Sequence, residues 1–225
     1  MREAPRIRGG AGVRLVSLFF GLAVIAAGID AQIESRLGLA PWDVLHQGFS
    51  RHSPLTIGEA SIVVGLVMMV VAWLLGQPPG FGTVANAIVI GWLIDVFRGV
   101  GWVQGLSGSP VGARALLLVA GVVLFAIGSA FYIGAAFGAG PRDSTMLALS
   151  RLTGRRIALV RASLELTALA AGWALSGTVG LGTVGAALLV GPAVEAAFWL
   201  AVRLGLARRA PAALDVSPAV LGPAE

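Results

Sequence analysis

Cysteine and lysine are both missing from this 225-residue chain, and histidine occurs only twice. Without cysteine there is no disulfide framework, no thiolate nucleophile and no sulfur ligand for a metal. His46 and His52 stand six residues apart with no third ligand nearby, which argues against a zinc site. Charge of either sign is scarce at 12% of residues, against about 25% in soluble domains. Apolar residues make up 57% of the chain, and the mean hydropathy is +0.89. A soluble domain needs charged surface that this chain does not have. The sixteen basic residues, all arginine, lie in tails and connections rather than along one face. That is membrane-flanking charge, and it speaks against a nucleic-acid partner.

The chain repeats itself at an offset of one hundred residues. Gly38, Pro41, Asp43, Ser50 and Arg51 are matched by Gly138, Pro141, Asp143, Ser150 and Arg151, and Trp73 by Trp173. Gly80, Gly82 and Thr83 are matched by Gly180, Gly182 and Thr183, and Asp95 by Glu195. Matches among scarce residue types without a gap point to a tandem duplication. The expected units are a disordered basic tail over 1–13, repeat one over 14–104, a linker over 105–113, repeat two over 114–204 and a disordered tail over 205–225.

Six apolar stretches approach the ~20 residues that a helix needs to cross a bilayer. They are Arg14–Ile33, Ile57–Leu75, Thr83–Trp102, Arg114–Ile133, Ile157–Leu175 and Thr183–Val202. None shows the ten-residue alternation of a membrane barrel strand. Gly76–Gly82 and Ser176–Gly182 read as tight turns. The longer connections each hold a Pro-x-Asp segment followed by a short amphipathic pattern, a helix with Pro in its first turn that is either interfacial or re-entrant. Arginines favour an inward N-terminus by eleven to four, with Arg161 set aside. Three spans per repeat put repeat two into the membrane upside down relative to repeat one. The fold expected is therefore all-α: six transmembrane helices as two inverted-topology three-helix repeats, with both termini cytoplasmic.

Gly38–Gly48 (GLAPWDVLHQG) and Gly76–Asn86 (GQPPGFGTVAN), with Tyr132-Ile133-Gly134 and Gly140-Pro141-Arg142-Asp143, resemble the YczE-like membrane proteins of the YitT group. The resemblance covers about residues 14–200. It implies a multi-spanning bacterial plasma-membrane protein and carries a suspicion of transport or export.

Asp95 and Glu195 hold matching places inside spans three and six. Carboxylates at that depth normally face protein or water, which makes both candidates for a coupling or substrate pathway, together with Glu165 and Asn86. The structural alternatives are an i,i+3 pair of Asp95 with Arg98 and an i,i+4 pair of Glu165 with Arg161. Pro41, Trp42, Asp43 and His46, with Pro141, Arg142 and Asp143, are candidates for a gate at each mouth. For Asp43 and Asp143 the favoured reading is service at a helix N-terminus, where a carboxylate meets free N–H groups and the helix dipole. Gly80, Gly82 and Thr83, with Gly180, Gly182 and Thr183, look like anion-binding turns. They lack the lysine and preceding strand of a phosphate loop, so close packing with a Thr hydroxyl cap is the better expectation.

No Ser/His, paired-Asp or His/Glu metal constellation lies within the spans, so neither catalysis nor a cofactor is expected. The function expected is a small-solute transporter or exporter in the lipid bilayer, working by alternating access. The rival is a non-catalytic accessory or substrate-binding subunit that docks a partner protein, and the chain could also pair with a second copy of itself.

Overall fold

The computed structural model describes residues 4–208. Eight α-helices follow one another: α1 (Ala11–Ser35), α2 (Pro41–Arg51), α3 (Ile57–Leu74), α4 (Phe81–Val100), α5 (Val111–Gly134), α6 (Pro141–Thr153), α7 (Ile157–Ala174) and α8 (Leu181–Arg203). A 3-10 turn over Leu106–Gly108 joins α4 to α5. Helices start at 11, 41, 57 and 81 and again at 111, 141, 157 and 181. Six of them, α1, α3, α4, α5, α7 and α8, are long and apolar enough to cross a membrane. Their ends fall within three residues of those expected from sequence, because Gly and Pro turns stop the apolar runs sharply.

The short helices begin with Pro41 and Pro141, where the missing N–H removes nothing the helix would use. At 11 and 13 residues they rise about 16–20 Å, too little to span ~30 Å of hydrocarbon.

α1 and α5 cross at the centre through glycines on both helices. A methyl group on Gly21 would lie 2.6 Å from the Gly128 carbonyl oxygen, and one on Gly28 would lie 2.6 Å from that of Gly121. Small residues let two backbones approach this closely, which is how helices gain packing energy in lipid. The core around the crossing holds Leu18, Leu22, Ile29 and Ile94, while Trp73, Trp92, Leu181 and Leu188 are exposed on the outer faces. An apolar exterior of this kind suits lipid rather than water.

Contacts across the crossing come in matched pairs. Arg14 donates to the carbonyls of Ala135 (2.7 Å) and Ala136 (3.0 Å), and Arg114 to those of Ser35 (2.7 Å) and Arg36 (3.0 Å). Each arginine satisfies carbonyls that the end of the other helix leaves open. The Gly82 N–H reaches the Phe137 carbonyl and the Gly182 N–H the Leu37 carbonyl, both at 2.8 Å. Gly38 and Gly138, at φ +117° and +129°, lie against these turns in a backbone region that only glycine enters freely. Thr83 and Thr183 accept the N–H of Gly80 (3.1 Å) and Gly180 (3.2 Å), as expected of a hydroxyl cap.

The expected tails differ from the structure at both inner ends. Helix α1 begins at Ala11, and two-residue strands β1 (Arg6–Ile7) and β2 (Ala207–Arg208) pair antiparallel. Ile7 is buried against Ala201 and Ala207, an apolar anchor within an otherwise basic and Gly-rich segment. Residues 1–3 and 209–225 lie outside the described residues. Since β1 and β2 pair, the two ends of the described chain emerge at the same side.

Candidate functional site

A cavity of about 410 Å³ lies between the two halves and touches all eight helices. Its lining residues recur at the sequence offset: Pro41 and Pro141, Asp43 and Asp143, Ser61 and Arg161, Gly65 and Glu165, Asn86 and Ala186. The cavity thus sits where the two halves meet.

The first turns of α2 and α6 bring their side chains to the cavity. Asp43 is buried there, and its Oδ1 lies 3.3 Å from His46 Nδ1. The geometry lacks hydrogen-bond alignment, so Asp43 Oδ1 has no hydrogen-bond partner among the described residues. His46 Nε2 stands 3.4 Å from an Arg142 nitrogen. Arginine can only donate, so Nε2 must carry the lone pair and Nδ1 the proton, on the Asp43 side of the ring but out of line with Oδ1. Burial pushes the His46 imidazole down from its ordinary value and Asp43 pulls the other way, so the ring stays neutral at pH 7. Arg142 itself lies over the Trp42 ring at 5.0 Å.

Asp143 lines the cavity and is exposed within it. Removal from bulk water raises its carboxyl above the ordinary range, against the pull of Arg161 and Arg142, while Glu165 adds to the rise. Tyr132, Asn86 and Asp143 converge around Gly140, where an added methyl group would sit 3.3 to 3.7 Å from all three side chains. Glu165 pairs with Arg161 at 2.9 Å one helical turn away, and both side chains border the cavity. Neither Asp43 nor Asp143 caps its own helix through its side chain.

Of the residues singled out from sequence, Pro41, Trp42, Asp43, Asn86, Pro141, Arg142, Asp143 and Glu165 line this one cavity, and His46 stands directly behind it. The mouths anticipated on opposite sides are therefore walls of a shared space. Asp95 and Glu195 are placed elsewhere. Asp95 accepts the Gly58 N–H at 3.0 Å and the Thr56 hydroxyl, so it serves the N-terminus of α3 and makes no ion pair with Arg98. Glu195, expected to face the interior, is exposed on α8 and has no hydrogen bond or ion pair among the described residues. Nor does any group of three or more His, Asp or Glu come together among the described residues as a metal site.

The two flanks of the cavity differ. On one side α3 packs along α4: a methyl group on Gly58 would fall on the Gly91 carbonyl oxygen, and one on Gly65 would lie 3.4 Å from the Ala87 Cβ. On the other side α7 and α8 hardly touch. Among the described residues, nothing lies within 4 Å of where a Gly191 side chain would begin.

Two buried acids were not singled out from sequence. Asp30 in α1 is fully buried and holds Arg98 (3.0 Å), the Trp102 indole N–H (2.8 Å) and the Gln104 amide. Four residues on, Glu34 accepts the N–H groups of Gly105 and Ser107. Together they tie the linker between the halves to α1. The signal available was an acid inside the first apolar run with Ala130 in its place in the second copy.

The sequence matches the family of unknown function DUF6198 over residues 12–198. It is 34% identical to the uncharacterized membrane protein YczE of Bacillus subtilis, over 92% of this chain and 97% of that protein. It is also 33% identical to an uncharacterized protein of Haemophilus influenzae, covering 79% of this chain and 80% of the other. A third relative, YyaS of Bacillus subtilis, is 25% identical over 73% of this chain and 82% of its own length. No solved structure matches the chain.

Proposed function

The chain belongs to the DUF6198 family, whose description assigns no activity, and from the cavity we propose that it is a small-solute transporter that works by alternating access. The reading makes the two halves inverted repeats within a bacterial plasma membrane, with the solute held between them. The matched pairs of contacts about the α1–α5 crossing support the inverted arrangement. The strand pairing of the two chain ends and the eleven-to-four arginine bias support an even span count with cytoplasmic termini.

The observation that carries the proposal is the unequal pair of flanks. One cavity, walled by matching helices, is shut along α3–α4 and open along α7–α8. A protein whose two halves can exchange these roles would offer its site to one side at a time. The volume falls within the ~300–1,000 Å³ of small-molecule sites.

The test is solute flux in proteoliposomes with the closed flank locked. Gly65→Cys with Ala87→Cys places two sulfurs where the Cβ atoms lie 3.4 Å apart, close enough to bridge. The protein has no native cysteine to interfere. Gradient-driven flux in the reduced protein that stops on oxidation and returns on reduction is the expected result. Flux indifferent to the bridge, or none for any solute that binds, rejects alternating access.

A further inference from the structure

Two residues of the cavity wall each keep a buried acceptor atom with no hydrogen-bond donor among the described residues. Asp43 Oδ1 is one, and Gln32 Oε1 on α1 is the other. Both residues are at least 97% buried and both line the cavity. The Gln32 amide is oriented by its Nε2, which donates to the Gly28 carbonyl at 3.3 Å, so it is the oxygen that is left over. A buried acceptor without a donor costs about 1–3 kcal/mol, and more when it is charged. Such atoms persist where an ordered water or a ligand supplies the missing donor.

The formal charges in the cavity point the same way. Asp43, Asp143 and Glu165 face it with Arg142 and Arg161, three negative groups against two positive, while His46 is neutral. Arg161 is taken by Glu165, and Arg142 by the His46 lone pair and the Trp42 ring. One negative charge is therefore unbalanced, and at the buried Asp43 charges are screened poorly.

Resting on the reading of this cavity as a solute site, we propose that its ligand is a small organic cation with N–H donors, a protonated amine. The ammonium group sits at Asp43 and donates to its Oδ1, with Gln32 Oε1 and Asp143 as the further acceptors. A quaternary ammonium ion matches the charge but leaves the orphaned acceptors unmet. A carboxylate adds to the surplus negative charge.

The experiment is equilibrium binding to the purified full-length protein in lipid nanodiscs, read by isothermal titration calorimetry and by thermal unfolding. The probes are ethanolamine, tetramethylammonium, succinate and glycerol. Ethanolamine should bind and raise the unfolding temperature, tetramethylammonium at least tenfold more weakly, and the other two not measurably. Asp43→Asn should weaken ethanolamine at least tenfold, as expected for loss of a charged hydrogen bond, and Asp143→Asn should weaken it by less. Asp43→Asn removes an unbalanced charge, so the variant should fold at least as stably as the parent. Succinate binding that is lost in Arg142→Gln and kept in Asp43→Asn overturns the amine assignment and leaves the transport reading standing. A response to pH without a response to ethanolamine also overturns it, since a proton alone then balances the charge. No binding by any probe, combined with no flux, removes both the assignment and the reading beneath it.

Discussion

Where α3 meets α4 the two backbones are in contact, and where α7 and α8 would meet in the same way they stand apart. The two flanks descend from one repeated sequence, so the difference must lie in the positions that changed. Gly58 is matched by Ala158, Thr56 by Arg156, Trp92 by Pro192 and Asp95 by Glu195. A methyl group at position 58 would collide with the Gly91 carbonyl oxygen, so Ala158 alone keeps α7 from approaching α8 as closely as α3 approaches α4. Asp95 completes the tight side by accepting the Gly58 N–H and the Thr56 hydroxyl, a carboxylate set at the positive end of a neighbouring helix. Arg156 offers a long charged side chain where Thr56 offers a short hydroxyl. Contact on the second side is therefore looser than on the first, and these four pairs carry the difference.

Exchanging residues between the halves breaks this comparison by graded amounts. Asp30→Ala, which copies Ala130, should cost the most, about 3 kcal/mol, because it strands Arg98, the Trp102 N–H and the Gln104 amide without their acceptor. Thermal unfolding in detergent measures it, and the linker over 101–109 should become open to protease in the same variant. Gly58→Ala, which copies Ala158, should cost about 2 kcal/mol through forced separation of packed backbones. It should also lower the yield of the Gly65→Cys/Ala87→Cys bridge, whereas Ala158→Gly should change the stability by no more than the ~1 kcal/mol of helix propensity.

Asp95→Asn should cost about 1–2 kcal/mol by weakening a charged cap on α3, and Glu195→Gln should leave the unfolding temperature unchanged. Equal losses in the two would mean that the flanks are alike after all. The smallest effect sharpens the comparison from the other side. Arg14→Gln and Arg114→Gln should each cost about 1 kcal/mol, and by the same amount, since each removes the same pair of bonds to a helix end. A large difference between these two variants would show that the centre of the molecule is as uneven as its flanks.

Helix positions were legible in the sequence because the stops are chemical. Pro41, Pro141 and the Gly-rich turns around 80 and 180 end or start helices by local geometry alone, and both copies keep them. The Pro-x-Asp segments were legible as a site for the same reason, since scarce residues recurred at one offset. What was hidden depends on distant neighbours. Asp95 meets Gly58 and Thr56 from 37 and 39 positions away, and in sequence its obvious partner was Arg98, one helical turn on. Arg98 in turn is drawn to Asp30, 68 positions back. The offset also misled for Glu195: a repeat predicts a shared environment only where the facing residues repeat, and Thr56 and Gly58 do not.

The clasp between Arg6–Ile7 and Ala207–Arg208 has a consequence for how the protein is made. Ribosomes deliver the chain from one end, so the first strand leaves the tunnel about 200 residues before its mate. Before α5 is made the glycine face of α1 has nothing to lie against, and until the second half is complete the Leu37 carbonyl lacks the Gly182 N–H and Ile7 lacks Ala201 and Ala207. The half that is synthesised first thus waits, unfinished, for the half that comes second. A nascent chain truncated before α8 should be a substrate for membrane quality control rather than a smaller working protein.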